Sequence, residues 1–327
     1  MKRPSLFLPI AAFEWRLQLR SPVLWVGFAL FFLLAFGSTT VDQIQIGARG
    51  NVHINAPYAI LQTTAIMTVF ALFVVVALVA GTVVRDEETG FAPILRSTRL
   101  TKWPYLGGRF AGSVAASLLV LAAVPLAIAV GSFMPWLDPE RLGPFQANHY
   151  LWALFVMGLP TLLILGAVFF ALATVTRSMM WSYVGAVLLL VLFFVTRGLL
   201  RDPQFDDIAA LTDPFGISAL NIATKYWTAA ERNTLLPELS GVFLANRLLW
   251  LTVGAAVFAA ARGLSRWVSS EGEGGRTAGS RRGSGTARLG FPQGGEGFHA
   301  HEQAGESGLA GGPQATKYCR IAEADWK

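Results

Sequence analysis

The chain has 327 residues, 54% of them hydrophobic and 14% charged, with a net charge of +6 and a mean hydropathy of +0.50. A soluble domain carries roughly 25% charged residues; here the charges fall between long apolar runs, which excludes a soluble enzyme. The single cysteine, Cys319, excludes an internal disulfide framework, and the surplus Lys and Arg flank apolar runs, as on the cytoplasmic side of membrane proteins, so nucleic acid is not indicated.

Residues 1–20 form the first element. Met1-Lys2-Arg3 is followed by no short apolar stretch with a cleavage site before Arg16, so no cleaved signal is expected. Leu6, Ile10, Phe13 and Leu17 recur at helical spacing among Glu14, Arg16, Gln18 and Arg20, which predicts an amphipathic helix lying in the membrane interface, with Pro9 breaking its first turn. Residues 21–266 then hold six apolar runs. A helix of about 20 apolar residues crosses a ~30 Å hydrocarbon core, and in lipid the backbone must satisfy itself within the segment. The spans are expected at about 22–41, 59–84, 110–136, 151–175, 179–195 and 241–262.

The connections carry their own signals. Residues 85–109 open on Arg85-Asp86-Glu87-Glu88-Thr89-Gly90 and hold Arg96, Arg99, Lys102 and Arg109, with Pro93 and Pro104 bracketing a short segment. Asp138-Pro139-Glu140, Thr176-Arg177-Ser178 and Asp213-Pro214-Phe215-Gly216 read as turns. Thr228-Ala229-Ala230-Glu231 fits a capping box. The sixth span includes Asn246 and Arg247, whose charge is expected to snorkel to the headgroups. Basic residues gather beside the N-terminus, in 85–109, at Arg177 and after the sixth span, which places both termini in the cytoplasm. The loop at 196–240, with four basic residues, is the one dissent.

Residues 267–327 are rich in Gly, Arg, Ser and Glu without apolar periodicity, and are expected to be a disordered tail. Arginine outnumbers lysine 21 to 5, so an off-frame product of a GC-rich gene is a second reading of that tail, which sequencing of the downstream DNA decides. The fold class is therefore an all-α integral membrane protein: a six-transmembrane-helix bundle with an N-terminal amphipathic interfacial helix and a disordered C-terminal tail.

The chemistry-bearing motifs are few. There is no GxxxxGK[ST] loop to cradle ATP phosphates. His301-Glu302-Gln303-Ala304-Gly305 lacks the second histidine of a zinc site, and the four histidines have no metal spacing. The centres of the spans hold no ionisable group, which argues against an ion-coupled carrier and against an intramembrane protease. Pro125 and Pro160 read as structural kinks. The remaining candidate is the loop at 85–109, where Phe91, Ile94, Leu95 and Leu100 give an apolar side among charges; that is the chemistry of a segment that fits a groove on another protein, or of charges that only hold helix ends at the interface.

Three stretches resemble a known family. Phe13-Glu14-Trp15-Arg16-Leu17-Gln18-Leu19-Arg20-Ser21-Pro22 leads into the first span, Arg85-Asp86-Glu87-Glu88-Thr89-Gly90 and Leu95-Arg96-Ser97-Thr98 follow the second, and Tyr105-Leu106-Gly107-Gly108-Arg109 opens the third. Over residues ~10–265 this is similar to the permease subunits of ABC-2 type transporters. The resemblance implies a permease that moves an unknown substrate across the bacterial inner membrane. The ATP would be bound by a separate ABC ATPase subunit, so this chain would hold no cofactor and not itself be an enzyme. It also implies a second permease subunit as partner within the bilayer. Arg85, Asp86, Glu87, Glu88, Gly90, Leu95, Arg96 and Arg99 are then the ATPase-coupling loop. A narrower likeness, through Asp213-Pro214-Phe215-Gly216, Tyr226–Thr234 and Asn246–Trp250, is to the membrane part of bacterial ABC permease and M1-type aminopeptidase fusion proteins. In those terms the chain is truncated before the peptidase, and the alternative expectation is a non-transporting membrane anchor or regulatory protein.

Overall fold

The computed structural model describes residues 6–41, 44, 46–47, 50–89 and 102–280. Two units are distinguished, Met1–Arg276 and Thr277–Lys327, and all six apolar helices belong to the first. Among the described residues there is no strand. The helices are α1 (Phe7–Leu19), α2 (Pro22–Thr40), α3 (Pro57–Val75), α4 (Gly81–Glu88), α5 (Lys102–Gly131), α6 (Ala147–Trp152), α7 (Leu159–Thr176), α8 (Met179–Leu199), three short helices α9 (Asp206–Thr212), α10 (Ile217–Ala223) and α11 (Ala229–Thr234), and α12 (Gly241–Ser280).

Six stretches are long and apolar enough to cross a membrane: Pro22–Thr40, Pro57–Arg85, Trp103–Gly131, Ala147–Thr176, Met179–Leu199 and Gly241–Ala261. The chain is thus an all-α membrane bundle. Their borders follow local chemistry. Proline stands at the first helical position of α2 and α3, where its missing N–H costs nothing and its fixed φ favours the turn. Arg177 adopts a left-handed conformation (φ 50°), and with extended Ser178 it reverses the chain between α7 and α8. The third span begins well ahead of the expected residue 110. Pro104 lies in the first turn of α5 and does not break it, so Arg109 sits inside a helix and not in a loop. The backbone of α12 likewise continues past the expected border at residue 267.

Two of the long helices are widened by a π turn. Val76–Ala80 joins α3 to α4 within the second span, and Ala153–Gly158 joins α6 to α7 within the fourth. The second sits immediately before Pro160, whose missing N–H interrupts the regular ladder. Pro125 leaves α5 helical throughout.

The second, third and fourth spans are mostly buried, whereas the first, fifth and sixth show most of their surface. The core runs through Ile60, Leu72 and Val79 of the second span, Leu121 and Val124 of α5, and Leu165 and Phe169 of α7. α5 is the axis of the bundle, packed against α1, α2, α3 and α7. Small residues let it do so. A Cβ on Gly131 would lie 2.8 Å from Thr39 on α2. Phe110, Phe170 and Phe258 join α5, α7 and α12 with ring centroids 4.6–5.7 Å apart.

The two ends of the bundle are distinct. At one end the connections at 50–56, 138–146 and 228–234 meet. Asn55 and Gly143 exchange two hydrogen bonds of 2.7 Å, the His53 N–H donates to Asn233 Oδ1 (2.8 Å), and the Asn233 amide donates to Asn51 O. These are the loops that the basic-residue pattern assigns to one side. At the other end lie α1, α4 and the start of α5. The expected capping box is present, with Thr228 Oγ1 accepting from the Glu231 N–H and Glu231 accepting from the Thr228 N–H.

Candidate functional site

α1 packs with an inverted face. Two of its polar residues, Glu14 and Gln18, are buried, while Leu8 and Phe13 are 70% and 65% exposed. Of the apolar residues expected at helical spacing on this interfacial helix, Ile10 and Leu17 are half-buried, and Leu6 and Phe13 are exposed. Pro9 is accommodated in the first turn without breaking the helix. The inversion follows from the partner surface. Gly107, Gly108 and Gly112 of α5 form a notch that only hydrogen atoms can line. A Cβ on Gly108 would stand 2.9 Å from Phe7 O, and one on Gly112 would stand 2.7 Å from Ala11 O and 2.8 Å from Glu14 Cβ. Gly108 and Gly112 make a small-xxx-small pair, the spacing that brings two helix backbones together in lipid.

That close approach delivers the Glu14 carboxylate to the ends of two spans. Oε1 accepts from Gln18 Nε2 (2.9 Å) and Thr82 Oγ1 (3.0 Å), and Arg85 Nη1 stands 3.6 Å away. Oε2 faces Arg109 Nη2 at 3.3 Å, an electrostatic contact without good hydrogen-bond geometry. Arg109 also donates to Thr82 O (3.0 Å) and to the Tyr105 hydroxyl one turn earlier. Gln18 donates further to Leu78 O (3.1 Å), which at 2.7 Å is the alternative acceptor for the single proton of the Thr82 hydroxyl. Leu78 belongs to the π turn, so a side chain of α1 reaches one carbonyl group there.

One buried carboxylate therefore holds both flanks of the connection at 85–109. Arg85, half-exposed, comes from the end of the second span, and Arg109, buried, comes from the third. An isolated buried carboxylate is costly, and it persists here because two guanidinium groups and two neutral donors surround it. Of the residues expected in the coupling loop, Arg85 takes part in this cluster. Asp86, Glu87 and Glu88 continue the same helix, α4, and Glu88 is exposed. Gly90, Leu95, Arg96 and Arg99 lie outside the described residues. Both flanks of residues 85–109 are helical, with α4 running to Glu88 and α5 starting at Lys102.

A second buried charge lies near the opposite end. Arg247, on α12, does not snorkel as expected but is 3% exposed. Its Nε and Nη2 donate to Asn246 Oδ1 (3.0 and 2.7 Å), and Nη1 donates to Thr161 Oγ1 (3.2 Å). Asn246 in turn donates to Ala210 O and Asp213 O. Asp213 accepts from the Phe215 and Ser218 N–H groups, which shapes the turn expected at 213–216. Gly216, at φ +75°, lies against the guanidinium, where a Cβ would fall 1.5 Å from Nη2. Among the described residues no carboxylate is within 4 Å of Arg247, and no group of three His, Cys, Asp or Glu comes together to hold a metal.

A scan against protein-family models gives no match for this chain, and a search among curated proteins gives none.

Proposed function

We propose that the chain is the transmembrane permease subunit of an ABC-2 type transporter, not itself an enzyme, working with a separate ATPase and a second permease subunit. The membrane is read as the bacterial cytoplasmic membrane, with the N-terminus inside. The observation that carries the reading is the Glu14 cluster. A partner that displaces the connection between α4 and α5 would pull on Arg85 and Arg109 together, and so on α1 and two of the three most buried spans at once. Energy has to enter from such a partner, since the chain has no phosphate loop and its span centres carry no ionisable group to couple an ion gradient. The resemblance in residues 13–22 and 85–109 points the same way.

The test is recovery of a co-expressed ABC ATPase by wild type and by Glu87→Lys/Glu88→Lys/Leu95→Ala at equal membrane levels. The charge reversals set like charges against a partner's basic residues, and the truncation removes an apolar anchor worth about 1–3 kcal/mol. Recovery is expected from wild type and lost from the variant; equal recovery would reduce the loop to a solvated connector. Orientation is tested in a Cys319→Ser background. An impermeant thiol reagent should label Glu140→Cys, and not Glu88→Cys, in whole cells.

A further inference from the structure

The inverted face of α1 leaves a surface whose chemistry is split along its length. The only carboxylate of the helix, Glu14, and its amide neighbour Gln18 are turned into the bundle. What faces outward is Leu8, Phe13, Arg16 and Arg20, all exposed. Neither arginine makes a hydrogen bond or ion pair among the described residues. The apolar residues occupy the N-terminal half of this face and the two guanidinium groups the C-terminal half. Immediately beyond, Ser21-Pro22 turns the chain into the first span, a turn closed by Trp25 Nε1 donating to Leu19 O (2.8 Å). Arg20 and Arg16 therefore stand two and six residues ahead of Pro22, the start of a membrane-spanning helix, so they sit at headgroup depth, while Leu8 and Phe13 offer side chains to the acyl region.

We propose that this face of α1 is a binding surface for anionic phospholipid, with Arg16 and Arg20 taking the headgroup phosphates and Leu8 and Phe13 lying against acyl chains. Charge complementarity decides the occupant. Burial of Glu14 removes the one negative group that would neutralise the face. The exposed apolar side chains fit a lipid surface better than a hydrated acidic protein. A cation near an anionic leaflet gains roughly 1 kcal/mol, and two gain on the order of tenfold or more in partition. The contact stands independently of the transport reading, because nothing in it requires an ATPase.

The experiment uses the full chain, purified in detergent and titrated with phosphatidylglycerol or phosphatidylcholine, with retained lipids counted by native mass spectrometry. Wild type should retain the anionic lipid on the order of tenfold more readily than the zwitterionic one. Arg16→Gln/Arg20→Gln should lose most of that preference, and Arg16→Lys/Arg20→Lys should keep it, since charge and not a fixed fork is what the surface offers. Because the two arginines are exposed and make no hydrogen bond or ion pair among the described residues, the glutamine variant should melt in neutral lipid at the wild-type temperature, which separates lost binding from lost folding. An unchanged lipid preference in the glutamine variant would overturn the proposal. So would loss of a co-expressed acidic protein partner from that variant with its lipid preference intact, which would make the face a protein-docking surface.

Discussion

The bundle buries charge near both ends and treats it in two different ways. At the α1 end, a carboxylate and two guanidinium groups from three helices meet around Glu14, and removal of Glu14 leaves the buried Arg109 without its carboxylate. At the opposite end, Arg247 is enclosed with neutral acceptors only, the Asn246 amide oxygen and the Thr161 hydroxyl. Its nearest acid, Asp213, spends both carboxylate oxygens on backbone N–H groups. The first arrangement is a set of ionic cross-links between three separate helices. The second is a scaffold in which one cation organises a turn and holds the 206–218 segment to the fourth and sixth spans. Ionic pairing across elements is expensive to break, whereas removal of Arg247 leaves behind an Asp213 carboxylate that two backbone N–H groups already hold.

The largest effect should come from breaking the first arrangement. Glu14→Leu leaves Arg109 buried opposite an apolar side chain, and we expect a loss of about 3–5 kcal/mol in the unfolding free energy of the purified protein, measured by titration with denaturing detergent. Arg247→Met should cost less, about 1–3 kcal/mol, the penalty of acceptors left short of donors. If the two substitutions cost the same, the distinction between the ends fails. Gly216→Ala sharpens the second arrangement. It should be strongly destabilising in wild type, where the new methyl group meets the guanidinium, and should cost only about 1 kcal/mol in an Arg247→Ala background, where left-handed strain alone remains. Equal costs in both backgrounds would mean that the backbone conformation, and not the packed arginine, selects glycine.

The smallest effect concerns an exposed acid at the Arg247 end. Glu231 accepts the Thr228 backbone N–H and hydroxyl, in that order of importance, and these hold its carboxyl below the ordinary value of 4.5. Its folded value being depressed, its contribution to α11 is complete above the ordinary value and is lost as pH falls through the lower folded one. Amide exchange in residues 229–234 should therefore quicken, beyond the intrinsic pH trend, as the pH falls below the ordinary value of 4.5 and through the lower folded one. The melting temperature of a Thr228→Ala variant should change little at neutral pH, since α11 contributes no buried residue.

The long apolar runs made the six spans legible, because nothing but a helix satisfies the backbone in lipid. The turns at 176–178 and 213–216 and the Thr228–Glu231 box were legible too, since they rest on neighbours in sequence. The clusters were harder to read, each for a physical reason. Arg109 looked like a loop residue because charge was taken to end a span, although Pro104, a favoured first-turn residue, marks the earlier start of α5. Glu14 looked like the polar face of an interfacial helix. The signal that it turns inward was the Gly108-Arg109-Phe110-Ala111-Gly112 spacing, which marks a helix seat but does not say which helix takes it. Arg247 could not be distinguished from a snorkelling arginine without the fold of residues 206–218 around it, a contact between segments thirty or more residues apart.

The measurement that bears most directly on this account is a double-mutant cycle between Glu14→Gln and Arg109→Gln, read as unfolding free energy of the full chain. Each single substitution keeps the local shape and removes one charge. If one carboxylate fastens α1 to the start of the third span, the two losses are coupled by about 1–3 kcal/mol. Losses that add to within about 0.5 kcal/mol would show the two groups to be energetically independent, and the clamp around which the functional reading is built would not exist.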